Sequence, residues 1–493
     1  MVKPYYAGVD TGMTSYDRSA DSRVRRLSGL DGLFLNIEMP GQPMQNFFLG
    51  LLRSPACVPF TLEDLRRRLA DRLDQLPAFR WRLVPVPLGL ASSLLVEDPH
   101  FNLSAHLGHT VLPKPGGPQE LDAACGRLVS RCLDRDRPLW RITLIDGLAD
   151  GRQALLLEVH HALMDGLAIR TTLTRIFSEE KPTVLSSSWQ PGRLPGRAQL
   201  LAGALIHNAR ALALLPELIG RTRRATRAVH QRQAQAHEKV PGSNLGVPLS
   251  AINQGFTAER RFARASLPLH QVLAVKSAAG VTVNDVGLAL VGGALRGFLQ
   301  VRGVLPHRPL VAKVPVGMAG VGSIPRAEGN RLSVLYTSLA TDLADPWERL
   351  QKVSAVTTEA KVCLALGGRE LLADWLTCIP PILLRTMARR KEAVRRRPGK
   401  RNVRLDFNVV VSNLRGPSVP WRLGRVIVEE AYVAPPGEGA GINFALWDYA
   451  GYLEFGILSF CDIINDPAEL AAHLSHCLDE LVAAAEIRRV PTV

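Results

Sequence analysis

The sequence predicts a mixed α/β protein built as two halves of similar size. Three observations carry that reading. The chain has 493 residues, more than one hydrophobic core usually organises, so two domains of roughly 200 residues each are expected. Short apolar runs of strand length alternate with longer runs of helical period through both halves. The 34 prolines and 41 glycines interrupt the chain too often for a long helical bundle. A content of 46% hydrophobic and 21% charged residues is that of a globular chain.

Residues 1–26 are polar and charged without an apolar run. They read as a flexible tail and not as a signal peptide. The first half spans 27–180. Residues 61–76, TLEDLRRRLADRLDQL, have helical period with basic residues on one face. Strands are expected at 79–85 and 93–96, a helix at 119–133, and strands at 141–147 and 153–160 around the turn Ala149-Asp150-Gly151. A helix opening at Asp165 closes this half. The stretch 181–197 is rich in Pro, Ser and Gly and reads as a linker.

Residues 198–236, rich in Ala, Leu and Arg, complete a connecting region 181–253. They predict a helix that either crosses between the halves or rests amphipathically on lipid. The apolar stretch 200–220 is interrupted by His207, Asn208, Arg210 and Glu217, which argues against a membrane-crossing helix. The second half, 254–493, offers a strand at 261–267 and a helix at 269–278. Thr282-Val-Asn284-Asp285 then leads into an apolar helix at 286–299. Strands at 309–314 and 332–338, a helix at 346–364, strands at 405–411, 425–432, 441–447 and 452–459, and a helix at 467–486 complete it. The similar halves suggest a duplicated module, although no internal repeat is evident.

The formal net charge of +15 favours anionic partners. Lys and Arg crowd residues 385–404 against only Glu392, and Arg221, Arg223, Arg224 and Arg227 form a second run. Each run is either a solvated face or a contact for an anionic partner. No aromatic residue interleaves 385–404, so stacking on single-stranded nucleic acid is not supported. Seven cysteines, an odd count without a Cys-x-x-Cys pair, predict a reduced intracellular chain with no disulfide framework.

The richest segment is Glu158-Val-His160-His161-Ala-Leu-Met-Asp165-Gly166, between the apolar run 154–157 and a helix-like segment 167–177. An imidazole exchanges a proton near neutral pH, as a general base must. On a strand, adjacent side chains point to opposite faces. His160 and His161 therefore have different roles, one facing the site and one packing behind it. Asp165 stands where the helix begins and reads as a brace that caps free backbone N–H groups. Gly166 permits a tight turn or close approach. Neither His-x-x-x-His nor Cys-x-x-Cys is present, so no metal is expected. No Gly-x-Ser-x-Gly motif supplies a nucleophile, so a covalent intermediate on a serine is not expected.

His160-His161-x-x-x-Asp165-Gly166 resembles the motif of the bacterial wax ester synthase/acyl-CoA:diacylglycerol acyltransferases. That family lies within a wider group including chloramphenicol acetyltransferase and nonribosomal peptide condensation domains. Further blocks resemble the family in order: Leu27-Ser28-x-x-Asp31-x-x-Phe34-Leu35, Asp136-Arg137-Pro138-Leu139-Trp140, Asn284-Asp285-Val286 with Ala294-Leu295-Arg296, Gly329-Asn330, Ser412 to Pro417, and Tyr449, Gly451 and Asp462. Together they run from about residue 27 to 487. The chain departs from the family at Gln45, where a His follows Met, and at Leu414-Arg415 within the Asn413–Pro417 block.

The resemblance implies two chloramphenicol acetyltransferase-like α/β sandwich domains with a substrate tunnel at their interface. It implies an enzyme moving a long-chain acyl group from acyl-CoA to diacylglycerol, or to a long-chain fatty alcohol as the alternative. His161 would be the base, with His160 and Asp165 supporting it. Asn284 would donate to the oxyanion, unless it serves as a helix cap, a role Asp285 would otherwise take. Gly166, Pro138, Leu139, Trp140 and Asp285 would contact substrate, although Pro138-Leu139-Trp140 reads equally as core. Acyl-CoA is a co-substrate and no bound cofactor is implied. A basic, non-spanning chain of this kind is expected in the cytoplasm, peripherally held on an anionic inner membrane face or lipid droplet.

Overall fold

The computed structural model describes residues 24–55, 58–180, 194–241, 247–253, 257–318, 326–395, 406–437 and 440–489. Most of the expected tail 1–26 and linker 181–197, and residues 396–404 of the basic run, lie outside them.

The described residues form two six-stranded mixed sheets and a small three-stranded one. The first sheet has the order Arg422–Leu423, Val426–Ala434, Gln45–Arg53, Gln153–His160, Trp140–Asp146, Leu107–Val111. Its central strands are covered on both faces. Gln153–His160 is buried at every position, and Gln45–Arg53 at all but the last. This is why they read as unbroken apolar runs instead of alternating ones. The second sheet has the order Leu332–Ser338, Val311–Gly317, Val409–Arg415, Ile442–Tyr449, Tyr452–Phe460, Arg260–Pro268. Helices Val283–Val301 and Ala468–Arg489 pack on it around Val409, Val411, Phe444 and Phe455. The small sheet joins Val24–Arg26, Leu94–Glu97 and Trp81–Val84, so regular structure starts three residues before Leu27.

Local chemistry sets many boundaries. Ser28 with Asp31, Thr61 with Asp64, and Thr282 with Asp285 form reciprocal capping boxes that start three helices. Tyr449 pairs with Tyr452 across a two-residue turn, Ala450 at φ 48° and Gly451 at φ 91°. Positive φ at both positions matches the twist of a tight hairpin.

The structure departs from the sequence reading in three places. The helix expected at 61–76 ends at Ala70 and continues as short 3-10 turns. The strand expected at 425–432 within the second half belongs to the first sheet. It pairs antiparallel with Gln45–Arg53, Ala431 opposite Gly50, and closes an edge that would otherwise be open. Third, Arg197–Gln235 is one continuous 39-residue helix, long and apolar enough by length and composition to cross a membrane. The polar residues at 207–217 therefore do not exclude a span as the sequence reading held. Two helices, Leu371–Cys378 and Pro381–Arg395, lie where the sequence predicts no element, the second running into the basic stretch 385–404.

Candidate active site

The paired histidines sit at the end of the strand Gln153–His160, and the structure separates them as strand geometry requires. His160 is fully buried and His161 half-buried. Both backbones are fixed. His160 N donates to Leu139 O at 3.0 Å, and His161 N to Met44 O at 2.7 Å. His161 O accepts from Asn330 Nδ2 at 2.7 Å. The His161 ring stacks on Phe34, centroids 3.8 Å apart and planes 8° from parallel. That contact fixes the ring plane.

His160 serves the loop. Its Nδ1 accepts from Ala162 N at 3.0 Å, so its proton sits on Nε2. Nε2 lies 3.3 Å from Glu38 Oε1, and Glu38 Oε2 pairs with Arg135 at 2.6 Å. Burial alone would raise the Glu38 carboxyl; His160 and Arg135 overcome it and hold the group at about 2. Because this lies below its ordinary 4.5, the charge contributes stability above about pH 4.5 and loses it as pH falls toward 2. Glu38→Gln keeps the shape and removes the charge. Thermal unfolding against pH is expected to show wild type more stable near neutrality, with the gap closing between pH 4.5 and 2. A gap independent of pH would show that the charge is not what Glu38 supplies.

Glu158 lies on the same strand and is fully buried. Gln45 donates to it at 2.8 Å and Arg141 at 2.8 Å. Burial pushes its carboxyl up to about 7 against the pull of Arg141 and Gln45. Gln45, one of the departures from the family pattern, therefore tethers this strand to its neighbour.

Asp165 is the helix cap that its position suggested. Its Oδ1 accepts from Ala168 N at 3.0 Å. Its Oδ2 accepts from Arg331 N at 3.0 Å and pairs with Arg326. Arg326, Gly329, Asn330 and Arg331 come from the second half. Gly329 exchanges backbone bonds with Leu163 and Asp165, while Asn330 donates through both N and Nδ2 to Asp31 Oδ1 at 2.8 Å. Gly166 is needed for contact across the halves: a Cβ there would lie 2.4 Å from Leu414. The histidine loop is thus clamped where the halves meet.

The other expected residues divide. Leu139 and Trp140 are core. Trp140 stacks on Phe79 at 4.1 Å and His106 at 4.4 Å, and its Nε1 donates to Phe79 O, which is the packing alternative. Pro138 is buried beside them. Asp285 forms a capping box with Thr282 and its Oδ2 also accepts from Ser354, while its Oδ1 is buried. Asn284 accepts from Asn413 Nδ2 at 3.3 Å. Asn413 shares its strand face with Val409 and Val411 of the second core, opposite Leu414; no described contact joins Asn284 to His161. Sequence reasoning assigned no role to Glu38, Arg135, Arg326, Phe34, Asp31 or Asn330. Asp31, Phe34 and Asn330 stand in the family-like blocks, and Ser28-x-x-Asp31 is a readable capping pattern. Nothing local marks Glu38 or Arg326.

Two six-stranded α/β sheets with a half-buried histidine held where the halves meet define a two-domain fold of the chloramphenicol acetyltransferase type. Comparison with known proteins narrows this. Residues 27–287 match the wax ester synthase/diacylglycerol acyltransferase catalytic domain, and 328–482 match the C-terminal domain of the same family. A Mycobacterium tuberculosis (strain ATCC 25618 / H37Rv) protein provisionally named a diacylglycerol O-acyltransferase is 33% identical over 488 residues, 95% of this chain and 99% of the relative. A second from that strain, named likewise, is 32% identical over 94% of this chain and 97% of the relative. The solved wax ester synthase/diacylglycerol acyltransferase from Marinobacter aquaeolei VT8 superposes with a TM-score of 0.64 at 29% identity, covering 94% of this chain and 99% of that one. A condensation domain of the CDA synthetase, at 15% identity and TM-score 0.54, shares the fold. The chain belongs to the wax ester synthase/diacylglycerol acyltransferase family and is an acyltransferase of lipid biosynthesis.

Proposed function

We propose that the chain transfers a long-chain acyl group from acyl-CoA to diacylglycerol, forming triacylglycerol and free CoA. The observation that carries this is His161: half-buried, stacked on Phe34, its backbone tied by Met44 of one half and Asn330 of the other. His161 takes the acceptor hydroxyl proton as the oxygen attacks the thioester carbonyl carbon. The C–S bond of the tetrahedral intermediate then breaks, and His161 returns the proton to the CoA thiolate. The intermediate's oxyanion is assigned to Asn284, whose Oδ1 is engaged by Asn413, leaving the N–H end to donate; such a donor is worth about 10²- to 10³-fold in rate. Substrates would meet in a tunnel beside His161 where the halves join, and there closeness and water exclusion add the remainder. Acyl-CoA is the co-substrate and no further cofactor takes part. The enzyme works in the cytoplasm, held peripherally on an anionic membrane or lipid droplet. A long-chain alcohol is the second acceptor, favoured by the name and 29% identity of the Marinobacter structure.

Labelled palmitoyl-CoA offered dioleoylglycerol and hexadecanol in competition is expected to give mainly triacylglycerol. Mainly wax ester would reverse the acceptor order, and free fatty acid with neither ester would overturn acyl transfer to an alcohol.

A further inference from the structure

The helix Arg197–Gln235 turns its apolar side outward, the reverse of an ordinary surface helix. Leu200, Ala204, Ala211 and Leu218 face the protein and are buried. Leu205, Ile206, Ala209, Leu212, Ala213 and Ile219 are exposed, Leu212 by 64%. Arg210 and Glu217 flank this stripe. Steps of three or four residues along the same face lead from Ile219 to Arg223 and Arg227, both exposed. One face therefore passes from apolar to basic.

The helix Pro381–Arg395 repeats the pattern, with Ile382, Leu383 and Met387 exposed ahead of Arg389 and Arg390. A turn joins the two helices into one surface. Leu90 O accepts from Asn208 Nδ2 at 3.0 Å, and a Cβ on Gly89 would lie 3.4 Å from Ile382 N. At its tip Leu88 is 78% exposed with φ 59°, so a strained backbone holds a leucine out into solvent. Toward its far end the long helix is tied down by Arg221 on Asp374 at 2.9 Å, by Trp375 on Thr222 at 3.0 Å, and by Arg232 on Glu359 at 2.6 Å. Those ties hold it along the protein instead of free to cross a bilayer.

We propose that this surface lies flat on an anionic lipid bilayer. Leu88, Leu212, Leu383 and Met387 enter the acyl boundary, while Arg223, Arg227 and Arg390 meet headgroup phosphates. A large apolar patch with a basic border on a chain of net charge +15 complements an anionic membrane in both respects. The inference deepens the peripheral attachment in the proposed function, and its readout needs no turnover.

The test is flotation of the full chain with vesicles of phosphatidylcholine mixed with phosphatidylglycerol, beside pure phosphatidylcholine. Wild type is expected to float with the anionic vesicles. Leu212→Glu/Met387→Glu is expected to lose about tenfold or more of that binding. Arg223→Glu/Arg227→Glu is expected to lose the preference for anionic lipid. Val301→Glu, an exposed valine on another helix, is expected to bind as wild type. Unchanged thermal unfolding and unchanged ester formation with a short water-soluble alcohol would show that the variants fold. Unaltered vesicle binding by the double glutamate variant would overturn the proposal. So would a dimer that the variant dissociates, or insertion that resists carbonate extraction. Normal vesicle binding without ester formed from any acceptor would overturn the proposed reaction and leave this surface standing.

Discussion

His161→Ala is expected to lower kcat by about 10²- to 10⁴-fold, the usual worth of a positioned general base. Folding should be little affected. The ring is half-buried, and its backbone bonds to Met44 and Asn330 survive the substitution. The stack on Phe34 is lost, at a cost of about 1 kcal/mol. Binding of acyl-CoA should persist, because the base acts on the acceptor hydroxyl. Steady-state ester formation and equilibrium acyl-CoA binding, measured on the same preparation, separate the two effects. Ester formation at the native rate would remove His161 from the mechanism. His160→Ala is a useful contrast. It opens a cavity in a buried site and removes one of the two partners of Glu38, so its first effect is on stability.

Asp165→Ala is expected to destabilise the protein by about 3–5 kcal/mol and to lower kcat through the loop it holds. The side chain caps a helix, a contribution of about 1 kcal/mol, and pairs from its buried position with the partly exposed Arg326. Removing one member of such a pair leaves the other charge without its partner, typically the larger loss. Arg331 N loses an acceptor as well. Asp165→Asn retains an oxygen for Ala168 N but gives up the charge, and should fall between alanine and wild type. Chemical denaturation and kcat together are the measurement. If Asp165→Asn were fully stable yet as inactive as His161→Ala, Asp165 would be carrying a proton and the brace reading would fail.

Two features of the site were legible because they are local. Adjacent residues on a strand diverge, so His160 and His161 had to differ. An aspartate directly before a helix is a cap. The same holds for Thr282 with Asp285, whose reciprocal cap is set by residues three apart. Trp140 was ambiguous for the opposite reason: a tryptophan in an apolar block fits a core or a tunnel wall equally well, and only its neighbours Phe79 and His106 distinguish them. Glu38, Arg135 and Arg326 carried no signal, because each is defined by a partner about 100 residues away or more.

By itself the sequence determined the α/β class, the start of most elements and the divergence of the paired histidines, all of which follow from periodicity, caps and turn residues within a few positions of one another. The tertiary structure alone decided that strand Val426–Ala434 completes the first sheet, that residues 326–331 grip the histidine loop, and that the long helix shows its apolar face to the outside. These depend on contacts between distant segments. Local propensity does not encode which edge a strand will close or which side of a helix will find a partner.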